Sequence, residues 1–404
     1  MKNIFSLFIF LLTSLASLSQ NLVKGRVIDE KTNEPLEFVS VYVNTTTIGT
    51  VTNAKGEFRL NLSAGKYEII VSFTGYEPII FPVDLNKPQP SYLFKLSPKS
   101  LALGEVAITA KRDATWYANL NVFKEHFLGK SSFGSQCKLL NPEVLIITFD
   151  PETALLQVKA RDFLLIENPA LGYKIKYLLQ NFEYDGRSGY ISYLGFPNYE
   201  PMQGGSARQN RWRKNRLQAY RGSSMHFVRA LRNQNLEAEG FNIRRLYRQP
   251  NPNRPSEERI EAARAIMRQR ALENKNLTIP ANDSISEIIS KARLPKTIDL
   301  LDTTRVPYSE YLIKDGDETR MAFKNLFNVV YTGEKEELAY VQQRSPFKAA
   351  QPSYQTSVIY LLDESVVLEK TGQIIEPLDI VFEGYWGWEK LGDMLPLDYL
   401  PNQN

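Results

Sequence analysis

The chain has 404 residues, 43% hydrophobic and 23% charged, with a formal net charge of +4. That is the composition of a globular protein with a real core, long enough for two or three domains. Its one cysteine, Cys137, excludes an intramolecular disulfide and with it a small secreted module stapled by disulfides.

Residues 1–20 carry one early charge, Lys2, and an apolar run from Ile4 to Leu18, with Ser17 and Ser19 at small-residue positions before Gln20. A short basic start, an apolar stretch and small residues at a cleavage point predict a secretory signal peptide over 1–19. A transmembrane anchor is the alternative, but the run is shorter than the roughly 20 apolar residues a span needs. No later stretch is apolar enough to cross a bilayer as a helix. The expected product is exported, periplasmic or outer-membrane associated, in a Gram-negative envelope. Cys137 is expected to be a buried small hydrophobe; the alternative is a reactive or intermolecular thiol.

Residues 20–97 read as short strands. Val39, Val41 and Val43 alternate with Ser40, Tyr42 and Asn44, and Phe58, Leu60 and Leu62 alternate with Arg59 and Asn61. A period of two marks strands with one buried face. Gly, Pro and Asn at Asn33-Glu34-Pro35, Ala54-Lys55-Gly56 and Ala64-Gly65 supply the turns. Strands at this spacing predict a small antiparallel sandwich.

Several marks within 22–96 are more specific. They are the opening Gly25-Arg-Val27, the Glu34-Pro35-Leu36 turn, Thr50-Val-Thr-Asn53-x-x-Gly56-x-Phe58, Gly65-x-Tyr67 and Gly75-Tyr76. Together they resemble the carboxypeptidase regulatory-like domain. The resemblance implies a seven-stranded prealbumin-like β-sandwich, an accessory module without catalysis of its own. The zinc carboxypeptidases need two histidines and a glutamate on the metal. This chain has two histidines, His126 and His226, and neither begins an H-x-x-E. No metal and no cofactor is expected.

The connector, 98–113, contains Leu103-Gly-Glu105-Val106-Ala-Ile108-Thr109-Ala110. It is similar to the stretch that follows this module in TonB-dependent receptors, and implies an extended segment able to join a partner's sheet edge. The alternatives are a linker or a last strand of the chain's own sheet. The residues after 114 are too few for a receptor barrel of about 22 strands of roughly 10 residues each.

Residues 114–404 are expected to form a larger α+β domain of antiparallel strands and basic amphipathic helices. Trp116, Leu120, Phe123 and Phe127 lie on one helical face, and Gly129 is a natural stop. Glu143–Phe149 and Leu155–Ala160 read as a hairpin within a tyrosine-rich antiparallel sheet over 143–196. Residues 208–270 then hold sixteen Lys/Arg against five Asp/Glu, a net of +11, so the rest of the chain sums to −7. A helix is expected from Arg208 to Leu236, a strand over Phe241–Leu246, and a second helix over Glu257–Asn274 with Ser256 as N-cap. Strands follow at Phe327–Tyr331, Leu338–Val341, Thr356–Tyr360 and Val366–Glu369. Gly384–Lys390 reads as an aromatic cluster, for core packing or for a sugar or peptide groove.

Two readings of the basic segment stand side by side. In one it is an anion- or partner-binding face built from Arg211, Trp212, Arg213, Lys214, Arg216, Tyr220 and His226, for an envelope protein or a glycan. In the other it is a solvated face neutralised by acidic residues elsewhere. Nucleic acid is not the expected partner of an exported chain. From Trp116 on, the chain also resembles a group of envelope proteins with the same first module. The marks are Glu167-Asn168-x-x-Leu-Gly172-Tyr173, Arg211-Trp212-x-x-Asn215-Arg216 and Leu395-Pro396-Leu397-Asp398-Tyr399. That resemblance implies membership and no activity.

The functional expectation is a non-enzymatic binding protein of the cell envelope, with the sandwich as docking module and a link to TonB-dependent transport. The alternative is a periplasmic hydrolase using the 215–229 helix, where Ser223 and His226 are i,i+3 neighbours. It would need an orienting carboxylate and an oxyanion hole as well.

Overall fold

The computed structural model describes residues 21–88, 90–99, 112–273, 284–316, 318–344 and 350–401. The leader expected over 1–19 and the connector's strand-like 101–110 lie outside these residues.

The first domain consists of β1 (Asn21–Asp29), β2 (Ser40–Val43), β3 (Gly49–Val51), β4 (Glu57–Leu62), β5 (Lys66–Ser72), β6 (Ile79–Asp84) and β7 (Tyr92–Leu96). One sheet runs β4-β1-β7 and the other β3-β2-β5-β6. This is the seven-stranded sandwich that the alternation and the resemblance imply, except that β1 and β7 run parallel. Along β4, Phe58, Leu60 and Leu62 point inward and their neighbours outward, onto a core shared with Val27, Val41, Ile69 and Phe94.

The family marks have local causes. Asn53 Oδ1 accepts the backbone N–H groups of Lys55 and Glu57, at 2.9 and 3.0 Å. Gly56 follows at φ +72°, where a Cβ would lie 2.4 Å from the Val27 carbonyl; both facts demand glycine. The Tyr76 hydroxyl donates to Asp29 at 2.7 Å. The Thr32 backbone N–H and that hydroxyl hold the Asp29 carboxyl below its usual range.

The body begins with α1 (Ala114–Phe127). Asp113 caps its first turn by accepting from Trp116 N at 2.8 Å, and Leu120, Phe123 and Phe127 are its buried face. Gly129 ends it at φ +101°, as the pattern predicts. The strands β8 (Lys138–Leu139), β9 (Leu145–Asp150), β10 (Leu155–Ala160), β11 (Leu164–Asn168), β12 (Tyr173–Asp185) and β13 (Ile191–Pro201) follow. They form one sheet, ordered β8-β11-β12-β10-β9 with β13 beside β12; β9 and β10 are the expected hairpin.

Two short helices come next, α2 (Ser206–Tyr220) and α3 (Ser224–Arg232), then β14 (Phe241–Pro250), α4 (Glu257–Glu273) and α5 (Ser284–Lys291). The remaining elements are β15 (Thr297–Arg305), β16 (Leu312–Asp315), β17 (Glu318–Met321), β18 (Leu326–Lys335), α6 (Leu338–Arg344), β19 (Tyr354–Leu361), β20 (Val366–Leu368), β21 (Ile374–Ile375), β22 (Ile380–Gly384) and α7 (Tyr385–Trp388). Their sheets run β15-β14-β18-β19-β22 and β16-β17-β20-β21. The body packs around two apolar clusters. One gathers Phe123, Phe127, Leu171, Ile175 and Phe182; the other gathers Phe227, Phe241, Phe327, Ile359 and Trp386. Leu391 and Leu395 bring the C-terminal tail back to the first.

Two expectations are corrected. The helix expected over Arg208–Leu236 is broken. Gly222 sits at φ +77° with no room for a Cβ, which would lie 2.2 Å from Gln355 Oε1, and Ser223 caps a new helix. Leu338–Val341 is helical, not a strand, since an apolar run of four does not separate the two by itself. The aromatic cluster at 385–388 is core: Tyr385, Trp386 and Trp388 are buried.

The sandwich is seated on the body. Tyr42, on the face of β2 opposite the sandwich core, is 1% exposed and Ile70 is fully buried, both against Phe196 of β13. The Tyr42 hydroxyl donates to the Phe196 carbonyl at 2.9 Å. Thr45 N donates to Pro197 O at 2.8 Å, and Tyr199 N to Thr46 O at 2.9 Å. The tail joins the same seam, with Leu397 N donating to Thr45 O at 2.7 Å.

Candidate functional site

α2 is fastened by one face to the turn between β11 and β12. Trp212 Nε1 donates to Pro169 O at 2.9 Å, and Asn215 Nδ2 to Ala170 O at 2.7 Å. Arg216 donates through Nε to Leu171 O at 2.7 Å and through Nη2 to Gly172 O at 3.0 Å. Four successive carbonyls are thereby satisfied by one helix face, which explains why the two motifs are spaced as they are. The Trp212 ring, 2% exposed, fills the space over Gly172, where a Cβ would lie 2.3 Å from it. The Arg216 guanidinium lies 4.0 Å from the Tyr173 ring centroid, and burial pulls its pKa down from the usual arginine value.

Asn210, Arg213, Lys214 and Leu217 fall on the adjoining face, at the i, i+3, i+4 and i+7 positions. They form one wall of an open groove of about 550 Å³ whose other wall is the tail at Asp398–Pro401 and Thr47 of the sandwich. Asp398 Oδ1 accepts from Thr47 N at 3.0 Å, and Thr47 Oγ1 donates to Oδ2. Arg229 of α3 straps the tail, donating to the carbonyls of Leu397 and Tyr399, both at 3.0 Å, and of Thr371 at 2.9 Å. Three stretches far apart in sequence meet here: the sandwich loop, the basic helix and the last residues.

The charge is unevenly answered. Later in the basic segment Arg245, Arg248, Arg254 and Arg264 each pair with a carboxylate, Arg229 and Arg232 donate to backbone carbonyls, and Arg221, Arg244, Arg259 and Arg268 form no ion pair among the described residues. Among the described residues Arg208, Arg211, Arg213 and Lys214 of α2 form no ion pair, and the helix holds no acid at all. Arg208, in the first turn, opposes the helix macrodipole, and Arg213 reaches only a neutral neighbour on the same helix, donating to Asn210 Oδ1.

Of the seven residues singled out from sequence, Arg213, Lys214 and Arg216 line the groove, and Arg211 is exposed beyond it. Trp212, Tyr220 and His226 are buried and present no surface to a partner. Sequence reasoning missed Tyr173, Asp398 and Thr47 as groove residues; only the meeting of distant segments brings them in.

His226 is a packed histidine. Gly222 N donates to its Nδ1 at 3.2 Å, so Nε2 carries the proton and faces Glu239 at 3.1 Å. Tyr220, Phe241 and Tyr331 surround the ring, and burial lowers its pKa. Ser223 is the N-cap of α3. Its hydroxyl donates to Tyr220 O at 2.7 Å and accepts from His226 N at 3.2 Å. The Ser–His side-chain pair on which the hydrolase reading rests is not formed: Ser223 caps the new helix, so its hydroxyl is engaged with the backbone of Tyr220 and His226 while the His226 ring faces Gly222 N and Glu239. His126 stacks on Tyr184 at 4.0 Å. Cys137 is buried, and burial pushes its thiol up to about 12. Among the described residues no group of three or more His, Cys, Asp or Glu is placed to hold a metal, and no helix is long and apolar enough to cross a membrane.

Residues 23–108 match the family model of the CarboxypepD_reg-like domain, so the first domain is a carboxypeptidase regulatory-like domain. The chain is 36% identical over 70 residues to the TonB-dependent receptor SusC of Bacteroides thetaiotaomicron; the aligned part is 17% of this chain and 7% of that receptor. The chain therefore spans only a small part of that relative's length. Two solved structures are similar at 10% identity and a TM-score of 0.16. One is a putative membrane-associated protein of unknown function from Bacteroides fragilis, with 91% of this chain and 95% of that one covered. The other is a 9R-lipoxygenase from Cyanothece, with 52% and 48% covered. At that score neither bears on fold or function.

Proposed function

We propose that this chain is a non-enzymatic protein of the Gram-negative cell envelope, periplasmic or outer-membrane associated, that binds an anionic partner in the groove between α2 and the tail. The observation that carries the reading is the unanswered charge of α2. Its cations stand on a helix clamped from behind, beside an open groove, and among the described residues no carboxylate is paired with them. The carboxypeptidase regulatory-like domain and the SusC likeness support an envelope setting and a link to TonB-dependent transport. The sandwich supplies Thr47 to the groove wall, so it acts as part of the binding body as well as a docking module.

The test is capture from a detergent extract of the envelope at low and high salt. Bait is the mature chain or its Arg211→Glu/Arg213→Glu/Lys214→Glu variant. The reading expects a partner that the wild type retains at low salt, loses at high salt, and that the variant does not retain. Equal capture by both proteins, or none by either, contradicts it.

A further inference from the structure

The groove is bipolar, and that narrows what fits it. On the α2 wall stand Arg213 and Lys214, exposed and without ion pairs among the described residues. On the tail wall stands the Asp398 carboxylate, with Thr47 on each oxygen and further lone pairs left over. Between them Tyr173 lines the floor. Its side chain is buried, at 3% exposure, yet among the described residues its hydroxyl makes no hydrogen bond. Burial pushes that phenol up to about 12, so it remains a neutral donor and acceptor. The Tyr399 hydroxyl and Asn210 Nδ2 are likewise without described partners at the rim.

A uniformly acidic ligand, such as an acidic peptide strand, would satisfy the cations and be repelled by Asp398. A neutral ligand would leave the cations unused. The set calls for an acid group at one end and several hydroxyl groups within a few ångströms of it. The groove is open, and its volume of about 550 Å³ lies in the range of about 300–1,000 Å³ usual for small-ligand sites. We propose that the groove takes a saccharide bearing a phosphate or a carboxylate, with the acid group on Arg213 and Lys214 and ring hydroxyls on Tyr173 Oη and Asp398. The shared chemistry is a sugar acid; a phosphorylated lipid headgroup and a uronic-acid polysaccharide are its two sources. This rests on the anion-binding reading above and adds the ligand class.

The test is titration calorimetry of the mature chain with four probes at low salt: galacturonate oligomers, a phosphorylated mannose oligosaccharide, neutral galactose oligomers and polyglutamate. At least one acidic saccharide is expected to bind about tenfold or more tightly than both the neutral oligomer and polyglutamate, a difference of about 1.4 kcal/mol. The galacturonate and phosphate arms tell the two sources apart. Tyr173→Phe keeps the ring under Arg216 and so the fold. It is expected to weaken the saccharide several-fold and leave polyglutamate unchanged. Polyglutamate binding as tightly as both acidic saccharides, with no effect of Tyr173→Phe, overturns the saccharide assignment and leaves the anion site standing. Failure of every anionic probe overturns both.

Discussion

Replacing Tyr42 in the sandwich should lower the stability of the body. All four tryptophans of the chain, Trp116, Trp212, Trp386 and Trp388, lie in the body, so their fluorescence reports its unfolding alone. Tyr42 points away from the sandwich core, 1% exposed, and packs on Phe196 and Ile70 while its hydroxyl serves the Phe196 carbonyl. Truncating a buried aromatic side chain to alanine costs about 3–5 kcal/mol. Tyr42→Phe isolates the hydrogen bond, about 0.5–1.5 kcal/mol. With a urea slope of about 3 kcal/mol/M for a protein of this size, Tyr42→Ala should move the tryptophan midpoint down by about 1 M or more. The pair Tyr42→Ala and Phe196→Ala should also be non-additive, by about 0.5–3 kcal/mol. A tryptophan midpoint shifted by less than about 0.5 kcal/mol in equivalent stability, the range of ordinary surface changes, would refute the docking: the sandwich would then hang on its connector as an independent unit.

Further outcomes are specific to the body. Gly172→Ala forces a Cβ into the Trp212 ring, 2.3 Å away, at φ +71°; thermal melts should show a loss of about 2 kcal/mol or more, and no change would mean that α2 is not clamped to this turn. Asp393 is buried between Ser131, whose hydroxyl donates to it at 2.5 Å, and the backbone N–H of Lys390 at 3.0 Å. Burial pushes its carboxyl up to about 7 against an unfolded value near 3.8. A raised acid favours the fold while protonated, so its contribution is full below about pH 4 and is lost as pH rises through about 7. Asp393→Asn should flatten urea stability across that window; an unchanged slope contradicts the assignment. Cys137, with its thiol near 12 and its side chain buried, should react with a thiol reagent only on unfolding, and prompt labelling of the native chain would show otherwise.

The sequence carried the first domain almost whole, because its information is local. Asn53 and Gly56 make their own turn, and alternation along β4 reads directly as in and out. It concealed the outer face of β2 and β5. The run Ile69-Ile70-Val71 is buried on both sides, a continuous apolar stretch that departs from clean alternation and was the one local sign of a second packing surface. The helix break at Gly222 was legible as a glycine, but its necessity comes from Gln355 across the fold. The basic helix was legible by charge. Which of its residues face outward was not, since Trp212, Asn215 and Arg216 are turned inward by carbonyls some forty residues earlier. Tyr173 and Asp398 stand in the marks Gly172-Tyr173 and Leu397-Asp398-Tyr399, but nothing local brings them together beside α2.

If the charge on α2 is a site, it acts by its position and not as a share of the net charge. Elution of the chain from a column bearing an anionic polysaccharide tests it with two charge-matched variants. Arg213→Glu/Lys214→Glu removes the groove cations. Arg264→Glu/Arg268→Glu makes the same change in net charge on α4, where Arg264 is already paired with Glu261. The first variant should elute at much lower salt than the wild type and the second close to it. Equal displacement of both variants would contradict it.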